Sequence, residues 1–309
     1  MEKLIIGVLA SKSKDYDLMK RNWEINAANS NSNIEIYFLY GDENLETSYT
    51  IEKNSKNTYN FYCKCQEIFS NLLYKSISFF EWIILNKSKC MLIRSNLSTL
   101  FKLDDIFNLY KDFYKYKYFF GGTFIEGYLE LKSVFSGTNL TFSIETLKLM
   151  VNNKNELLKN TKIDDVVLSE FIFNNYYSLH YFYNLKRLDF TDKILFQYTD
   201  LNDLENVLCY RFKSLDRLSD NKLILEILNK SFDKNFIKDK IIYNYTKYIK
   251  VYHDHNDLKN GKVLFCNTVI NTSVRGSVEN GMMSFVNNYV LKPENENDND
   301  ISLFRILKR

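Results

Sequence analysis

The chain has 309 residues, of which 45% are hydrophobic and 26% are charged, and its formal net charge is +3. This composition is typical of a globular protein, built as one large domain or as one domain with a small second one. A charge this small, without a basic stripe that alternates with aromatic residues, argues against a nucleic-acid partner.

The amino terminus and the cysteines predict a soluble, cytoplasmic protein. The apolar run that follows Met1-Glu2-Lys3 is too short for a signal peptide or a membrane span, so we expect no integral membrane segment. The cysteines are odd in number and form no CxxC pair, which fits reduced thiols. Cys63-x-Cys65 is a weak metal signal, and the alternative is two small residues on one face of a strand. The five cysteines are Cys63, Cys65, Cys90, Cys209 and Cys266.

Taken in chain order, apolar segments of strand length alternate with segments of helical periodicity. The predicted strands are Leu4–Ala10, Ile34–Tyr40, Thr58–Tyr62, Cys90–Arg94, Tyr118–Gly121 and Val134–Phe142. The predicted helices are Tyr16–Ala28, Glu67–Leu85, Leu103–Lys115 and Ile144–Val151. This alternation indicates an α/β fold with a mostly parallel sheet covered on both faces. Because ligands of such sheets bind beyond the carboxyl ends of the strands, residues such as Ser95 and Asn96 are candidates for a site.

The pattern changes after about Asp233. Four segments there look like short strands separated by turns: Lys240–Tyr252, Lys262–Ile270, Met282–Leu291 and Ile301–Leu307. We therefore predict two domains, residues 1–235 with the α/β sheet and residues 236–309 as a small β-rich domain or appendage. The triplet His253-Asp254-His255 can chelate a metal on a bent loop, although such a triplet in a polar turn is usually solvated.

Two adjacent carboxylates, Asp164 and Asp165, precede the helical spacing of the segment VVLSEFIF. Backbone N–H groups and the macrodipole at a helix N-terminus favour ionised carboxylates. Beside the Ser-Gly-Thr turn at residues 136–138, an ionised Asp is suited to take a proton from a hydroxyl nucleophile. The alternative is structural, with Asp164 as the helix cap and Asp165 as a charge in the first turn.

Several segments occur in a characteristic order. A GV strand, a strand that ends in Gly-Asp, a long helix with Lys75 and a strand with a polar end come first. The Ser-Gly turn, the Asp-Asp-Val helix start and the segment YRFKSLDR at residues 210–217 follow. This order resembles the GT-A glycosyltransferases of the fringe and β1,3-galactosyltransferase type, especially divergent viral and microbial members. The resemblance extends over residues 4–232, about three-quarters of the chain.

The resemblance implies a GT-A-like nucleotide-sugar-binding fold and a role for the turn and the carboxylates. Asp165, next to Asp164, matches the residue that acts as general base in the inverting members of the family. Gly137 would let the backbone approach the donor or acceptor sugar, and its alternative is a plain turn glycine. Ser136 would hydrogen-bond a sugar hydroxyl, or else cap the loop.

The chain departs from the family where an Asp-x-Asp usually holds a divalent cation, because it has Arg94-Ser95-Asn96 there. The Asn96 carbonyl alone would make a weak site, so the resemblance leaves a manganese or magnesium ion open. Arg94, assisted by Arg211, would instead contact the diphosphate of the donor, and the alternative for Arg94 is a salt bridge at the strand end. Lys75 matches a family lysine near the nucleotide, and its alternative is a buried, paired lysine.

Together these features predict an inverting glycosyltransferase of the hexosyltransferase type. Its expected partners are a nucleotide-diphospho-sugar donor and a glycan acceptor hydroxyl. The alternative is a catalytically inactive glycosyltransferase-like domain that binds glycans or scaffolds an assembly. The missing Asp-x-Asp and the added β-rich segment favour that alternative.

Overall fold

The structure is a computed structural model, and it describes residues 1–127, 132–190, 197–200, 204, 206–214, 216–240, 262–265, 283–285, 289–293 and 304–308. The chain divides into two compact units. The first comprises residues 1–125, 133–187 and 208–211, and the second comprises residues 126–132, 188–207 and 212–309. The domain boundary that the sequence predicts between residues 235 and 236 stays a prediction.

Strands and helices alternate along the first two-thirds of the chain, and most lie close to their predicted positions. The predicted strand Val134–Phe142 is instead divided into two strands by the turn at residues 136–138. The strands β1 to β7 are Lys3–Leu9, Ile34–Gly41, Tyr49–Lys53, Thr58–Cys63, Cys90–Asn96, Thr99–Phe101 and Phe119–Gly122. The strands β8 to β14 are Phe124–Gly127, Lys132–Phe135, Asn139–Ser143, Tyr181–Asn184, Arg187–Phe190, Gln197–Asp200 and Cys209–Phe212. The helices α1 to α6 are Lys14–Asn29, Leu72–Asn86, Leu103–Phe113, Ile144–Asn152, Lys154–Leu157 and Asp164–Tyr176.

The first unit is built on an eight-stranded sheet with the order β11-β7-β10-β5-β1-β2-β4-β3. Strand β1 runs parallel to β2 and β5, β2 runs parallel to β4, and β7 runs parallel to β11. Strand β10 is antiparallel to both β5 and β7, and β3 is antiparallel to β4. The other six strands therefore point the same way, which confirms the predicted α/β fold class with a mostly parallel central sheet.

Apolar clusters cover the sheet on both faces. Side chains alternate along a strand, so Ile5 of β1 packs into one cluster and Leu4 and Ile6 pack into the other. Helices α2, α4 and α6 contribute to the first cluster, and α1 and α3 contribute to the second. This burial on both faces explains why the central strands are continuous apolar runs in the sequence.

Helix α2 begins at Leu72 and not at Glu67, where the periodicity predicts its start. The residues before it form the 3-10 turn Phe69–Asn71. The Glu67 carboxylate accepts a hydrogen bond from the Gly41 N–H at the end of β2. Glu67 therefore links the approach to α2 with the carboxyl edge of the sheet.

The second unit contains a helix that the sequence analysis did not predict, α7 at Arg217–Asn229. Its N-cap is Asp216, whose side chain accepts hydrogen bonds from the N–H groups of Leu218 and Ser219. A further helical segment spans residues 234–240, so the prediction of a strand from Lys240 is wrong at that residue. Residues 241–252 of that predicted strand and the triplet His253-Asp254-His255 lie outside the described residues.

All described residues beyond 240 lie in strands. The strands β15 to β18 are Lys262–Phe265, Met283–Phe285, Tyr289–Pro293 and Phe304–Lys308. Strand β15 is antiparallel to β13, and β16, β17 and β18 form an antiparallel sheet in that order. Among the helices of the described ranges, none is both long and apolar enough to cross a bilayer.

Candidate functional site

The predicted site residues gather where β5 ends and β10 begins. Because β10 runs antiparallel to β5, Asn139 at its start pairs with Ser95 near the end of β5. The turn at residues 136–138 therefore lies at the carboxyl edge of β5. Among the hydrogen bonds that hold this turn, the Ser136 N–H donates to the Thr123 carbonyl at 2.8 Å, and the Ser95 hydroxyl donates to the Thr138 carbonyl at 2.6 Å.

Arg94 reaches from β5 into this turn and is only 3% exposed. Its Nη1 donates to the Gly137 carbonyl oxygen, and its Nη2 donates to the Asp164 carboxylate. The structure thus gives Arg94 a buried ion pair, which was the alternative to a diphosphate contact. The diphosphate role of Arg94 stays a prediction.

The two adjacent carboxylates lie in different surroundings. Asp164 is 4% exposed and paired with Arg94, whereas Asp165 is half-buried. Oδ2 of Asp165 accepts a hydrogen bond from the Gly137 N–H at 2.7 Å, and Oδ1 accepts one from the Val166 N–H at 3.0 Å. Since each carboxylate oxygen can accept two hydrogen bonds, both oxygens of Asp165 keep acceptor capacity in this arrangement.

Helix α6 starts at Asp164, so its N-cap is Ile163, whose side chain makes no capping hydrogen bond. The proposal that Asp164 caps the helix is therefore wrong, because its carboxylate points inward to Arg94. Asp165 lies in the first helical turn, as predicted. Both residues lie at the N-terminal end of helix α6, where the helix dipole favours negative charge.

Gly137 has no room for a side chain. A Cβ atom there would lie 2.5 Å from Nη1 of Arg94 and 2.9 Å from Oδ2 of Asp165. Glycine is required because the guanidinium and the carboxylate approach the same peptide backbone. The approach of a sugar to Gly137 stays a prediction.

The charge state of Asp164 is set by opposing effects. Burial raises the pKa of the Asp164 carboxyl, and the neighbouring Asp165 raises it further, whereas the Arg94 guanidinium lowers it. Adjacent carboxylates in unlike environments can take different chemical roles. Here the buried carboxylate pairs with Arg94, whereas the half-buried one accepts hydrogen bonds from the Gly137 and Val166 N–H groups.

Asn96, the predicted cation ligand, ends β5 with its side-chain carbonyl already engaged. Its Oδ1 accepts hydrogen bonds from the Ser98 hydroxyl at 3.0 Å and the Thr99 hydroxyl at 2.8 Å. A carbonyl oxygen has two lone pairs, and both are used here. In the described part of the chain no group of three or more His, Cys, Asp or Glu residues could hold a metal ion. The donor set at the end of β5 does not fit a divalent cation.

Lys75 lies in a separate ionic cluster. Its ammonium group is fully buried, and it donates to the Ala10 carbonyl at 3.2 Å and forms an ion pair with Glu67. Glu67 in turn accepts from the Gly41 N–H at 2.6 Å. This is the buried, paired lysine of the alternative interpretation, placed at the carboxyl ends of β1 and β2. Its contact with a nucleotide stays a prediction.

Arg187, the first residue of β12, contacts this turn and was missed by the sequence analysis. Its Nη1 donates hydrogen bonds of 2.7 Å to the hydroxyls of both Ser136 and Thr138. Its position in the sequence could have indicated a role at the site, because Arg187 follows the parallel edge strand β11 at the carboxyl edge of the sheet. The Ser136 hydroxyl thus contacts Arg187, and its contact with a sugar stays a prediction.

Arg211 lies on β14, in backbone register with Thr99 of β6. Strand β6 directly follows the residues that end β5, so position 211 is close to the candidate site along this pairing. A contact between the Arg211 side chain and a diphosphate stays a prediction.

No protein-family model matches the chain, and no curated protein matches it in sequence. Among solved structures, the chain is similar to the crystal structure of a glycosyltransferase involved in the glycosylation of the major capsid of PBCV-1, with a TM-score of 0.41 and 10% sequence identity. The similarity covers 72% of this chain and 98% of that chain. The fold class given above rests on the strand pairing of this chain itself.

Proposed function

We propose that the protein is an inverting glycosyltransferase in which Asp165 is the general base. The observation that carries the proposal is the half-buried Asp165 carboxylate, held by the Gly137 N–H at the carboxyl edge of a mostly parallel sheet. Ligands of such sheets bind at this edge. A general base needs a fixed carboxylate with lone pairs available to the nucleophile.

In the proposed reaction, Asp165 accepts the proton of an acceptor sugar hydroxyl. The acceptor oxygen forms a bond to the anomeric carbon of a nucleotide-diphospho-sugar, while the bond from that carbon to the diphosphate oxygen breaks. The nucleoside diphosphate leaves with the electron pair of that bond. Attack opposite the leaving group inverts the configuration at the anomeric carbon.

Arg94 and Asp164 are positioning residues in this proposal. Arg94 is buried, and it holds the Gly137 carbonyl while Gly137 holds Asp165 through its N–H. The ion pair with Asp164 fixes the guanidinium from the side of helix α6. The orientation of the base therefore depends on a buried group that need not touch the substrate.

The donor-binding residues remain those that the resemblance implies. Lys75 would lie toward the nucleotide and Ser136 toward a sugar. Ser95 is fixed by the Thr138 carbonyl and would support the same turn from the β5 side. No step of the proposed reaction involves a metal ion, because the donor set around Asn96 does not fit one.

A second candidate function is a glycan-binding module without catalysis. The pairing of both buried cations favours it, since Arg94 contacts Asp164 and Lys75 contacts Glu67. Neither cation has its charge directed to a diphosphate in this arrangement. Such a module would bind an acceptor-type glycan and leave nucleotide sugars intact.

The two candidates are separated by product analysis. The full chain is incubated with a panel of UDP- and GDP-sugars and oligosaccharide acceptors, and released nucleoside diphosphate is measured. The transferase proposal expects acceptor-dependent release, and NMR of the product should show an inverted anomeric centre. Glycan binding without release of any nucleoside diphosphate would support the second candidate, and a retained anomeric configuration would overturn the inverting mechanism.

A further inference from the structure

We propose that Cys63 and Cys65 form a redox-active dithiol that closes reversibly to an intramolecular disulfide. Cys63 ends strand β4, and Cys65 follows it by two residues. Their Sγ atoms lie 3.6 Å apart, although neither is bonded to the other in this structure. This pair takes no part in the proposed glycosyl transfer.

The backbone brings the two thiols together. The Cys65 N–H donates to the Cys63 carbonyl at 2.8 Å, which closes a three-residue turn directly after the strand. In an extended strand, residues two apart share a face but their side chains point away in parallel. The turn instead directs the two side chains toward each other. The distance between the two Sγ atoms must decrease by roughly 1.5 Å to reach the length of a disulfide bond.

The two cysteines differ in access, as an attacking and a resolving thiol should. Cys63 is fully buried, with its Sγ 3.3 Å from the Tyr40 carbonyl, whereas Cys65 is half-buried. The hydrogen bond with Cys63 lowers the pKa of the Cys65 thiol, and the nearby Lys75 ammonium lowers it as well. Cys65 is therefore the more accessible of the two thiols and the one that an oxidant reaches first.

A metal site at these two cysteines, or a redox role for the other described cysteines, fits the structure less well. Within the ranges that the structure describes, no third His, Cys, Asp or Glu joins the pair to make a metal site. Cys90 and Cys209 are 1% and 0% exposed, so they are shielded from small oxidants. Intracellular disulfides are usually transient and redox-sensing, which suits a pair of this kind.

With a small-molecule disulfide such as glutathione disulfide as the oxidant, the exchange balances. The Cys65 thiolate attacks one glutathione sulfur, the glutathione S–S bond breaks, and one glutathione thiolate leaves. The Cys63 sulfur, on losing its proton, attacks Cys65 Sγ and displaces the second glutathione. Two protein thiols are oxidised to one disulfide, glutathione disulfide is reduced to two glutathione molecules, and the two thiol protons end on those products.

Formation of the disulfide would move Cys65, which contacts Gly41 at the end of β2. A Cβ on Gly41 would lie 2.8 Å from the Cys65 carbonyl oxygen and 3.1 Å from its Sγ, so Cys65 packs directly against Gly41. The Gly41 N–H donates to Glu67, the partner of Lys75. Movement of Cys65 is therefore transmitted to the Lys75–Glu67 ion pair at the carboxyl edge of the sheet.

The test uses the full chain with Cys266→Ser, which removes a further thiol that could react with the oxidant. The protein is equilibrated with glutathione disulfide under native conditions, quenched with acid and digested with trypsin. Lys64 lies between the two cysteines, so cleavage there separates residues 57–64 from residues 65–75 unless a disulfide joins them. We expect an intact mass lower by two hydrogens and a joined peptide pair that separates on reduction.

Two single variants test which thiol resolves the glutathione adduct. In Cys63→Ser, Cys65 should stop at the glutathione adduct because the resolving thiol is missing, while Cys90→Ser should form the disulfide as before. The proposal is overturned if Cys65 ends as a stable glutathione adduct with Cys63 still free, or if neither thiol reacts in the folded protein. Neither readout depends on glycosyl transfer, so failure here leaves the proposed function untouched.

Discussion

Gly137 is hydrogen-bonded to Asp165 through its N–H, at 2.7 Å from Oδ2, and to Arg94 through its carbonyl oxygen. One residue of the turn between β9 and β10 thus connects the end of β5 with the start of helix α6. Because Arg94 also pairs with Asp164, the four groups form a closed ring of contacts. The orientation of the proposed base depends on this ring.

Gly137→Ala should lower the free energy of unfolding by about 1–3 kcal/mol, because the new methyl group forces aside a guanidinium and a carboxylate. Denaturant unfolding measures this loss. The matched control is Ser70→Ala at an exposed position, which should change stability by less than about 0.5 kcal/mol. A Gly137→Ala protein as stable as the control would show that the ring is not tightly packed.

The Arg94–Asp164 pair should behave as a strongly coupled unit in a double-mutant cycle. Arg94→Met or Asp164→Leu alone should cost about 3–5 kcal/mol, since each leaves a buried charge without its partner. The double variant should recover much of that loss, the more so because the buried Arg94 Nε has no hydrogen-bond partner among the described residues. Additive losses in urea unfolding would contradict the buried pairing.

The strands could be predicted from the sequence because both faces of the sheet are buried, which produces continuous apolar runs such as β1 and β5. The helix start at the Asp-Asp pair was also predictable, but which carboxylate turns inward was not. That choice is made by Arg94, which lies 70 residues away along the chain. The start of α2 was misplaced because the contact of Glu67 with Gly41 is not a local signal. Arg187 had a positional signal, since it follows β11 at the carboxyl edge of the sheet, but its contacts with Ser136 and Thr138 are long-range and are not visible in the local sequence.

His180 should make the protein less stable as the pH falls below about 6.5, the ordinary pKa of histidine. Its Nδ1–H donates to the Tyr176 carbonyl and its Nε2 lies 3.0 Å from the Thr146 hydroxyl, and burial lowers its pKa. The unfolded chain therefore binds a proton that the folded chain does not. The free energy of unfolding is therefore unaffected by His180 above the pKa that this residue has in the unfolded chain. It decreases as the pH falls from that value toward the lower pKa of His180 in the folded protein.

This loss should reach at most about 1.4 kcal/mol per pH unit. It is measured as the difference in pH dependence between the wild-type protein and His180→Gln, which removes the titration but keeps polar groups at the site. Identical pH profiles for the two proteins would show that His180 does not carry the effect.

Glycosyl transfer should persist in the presence of EDTA. The reason is the saturated Asn96 carbonyl, which takes hydrogen bonds from Ser98 and Thr99. Initial rates with EDTA, magnesium or manganese provide the measurement, with Asn96→Ala as the matched variant. A rate that requires manganese, and that needs a higher manganese concentration in Asn96→Ala than in the wild-type protein, would contradict this prediction and identify Asn96 as a ligand.

The central claim is tested most directly by Asp165→Asn in the acceptor-dependent transfer assay. The control is Asp105→Asn, which changes an exposed carboxylate in the first turn of α3. We predict that Asp165→Asn slows transfer by about 10²–10⁴-fold, because the proton acceptor is lost while the size of the side chain is kept. The protein should stay folded with a somewhat lower melting temperature, since the Asn amide can accept from only one of the Gly137 and Val166 N–H groups. The control should keep full activity. Transfer by Asp165→Asn at the wild-type rate would contradict the assignment of Asp165 as the base.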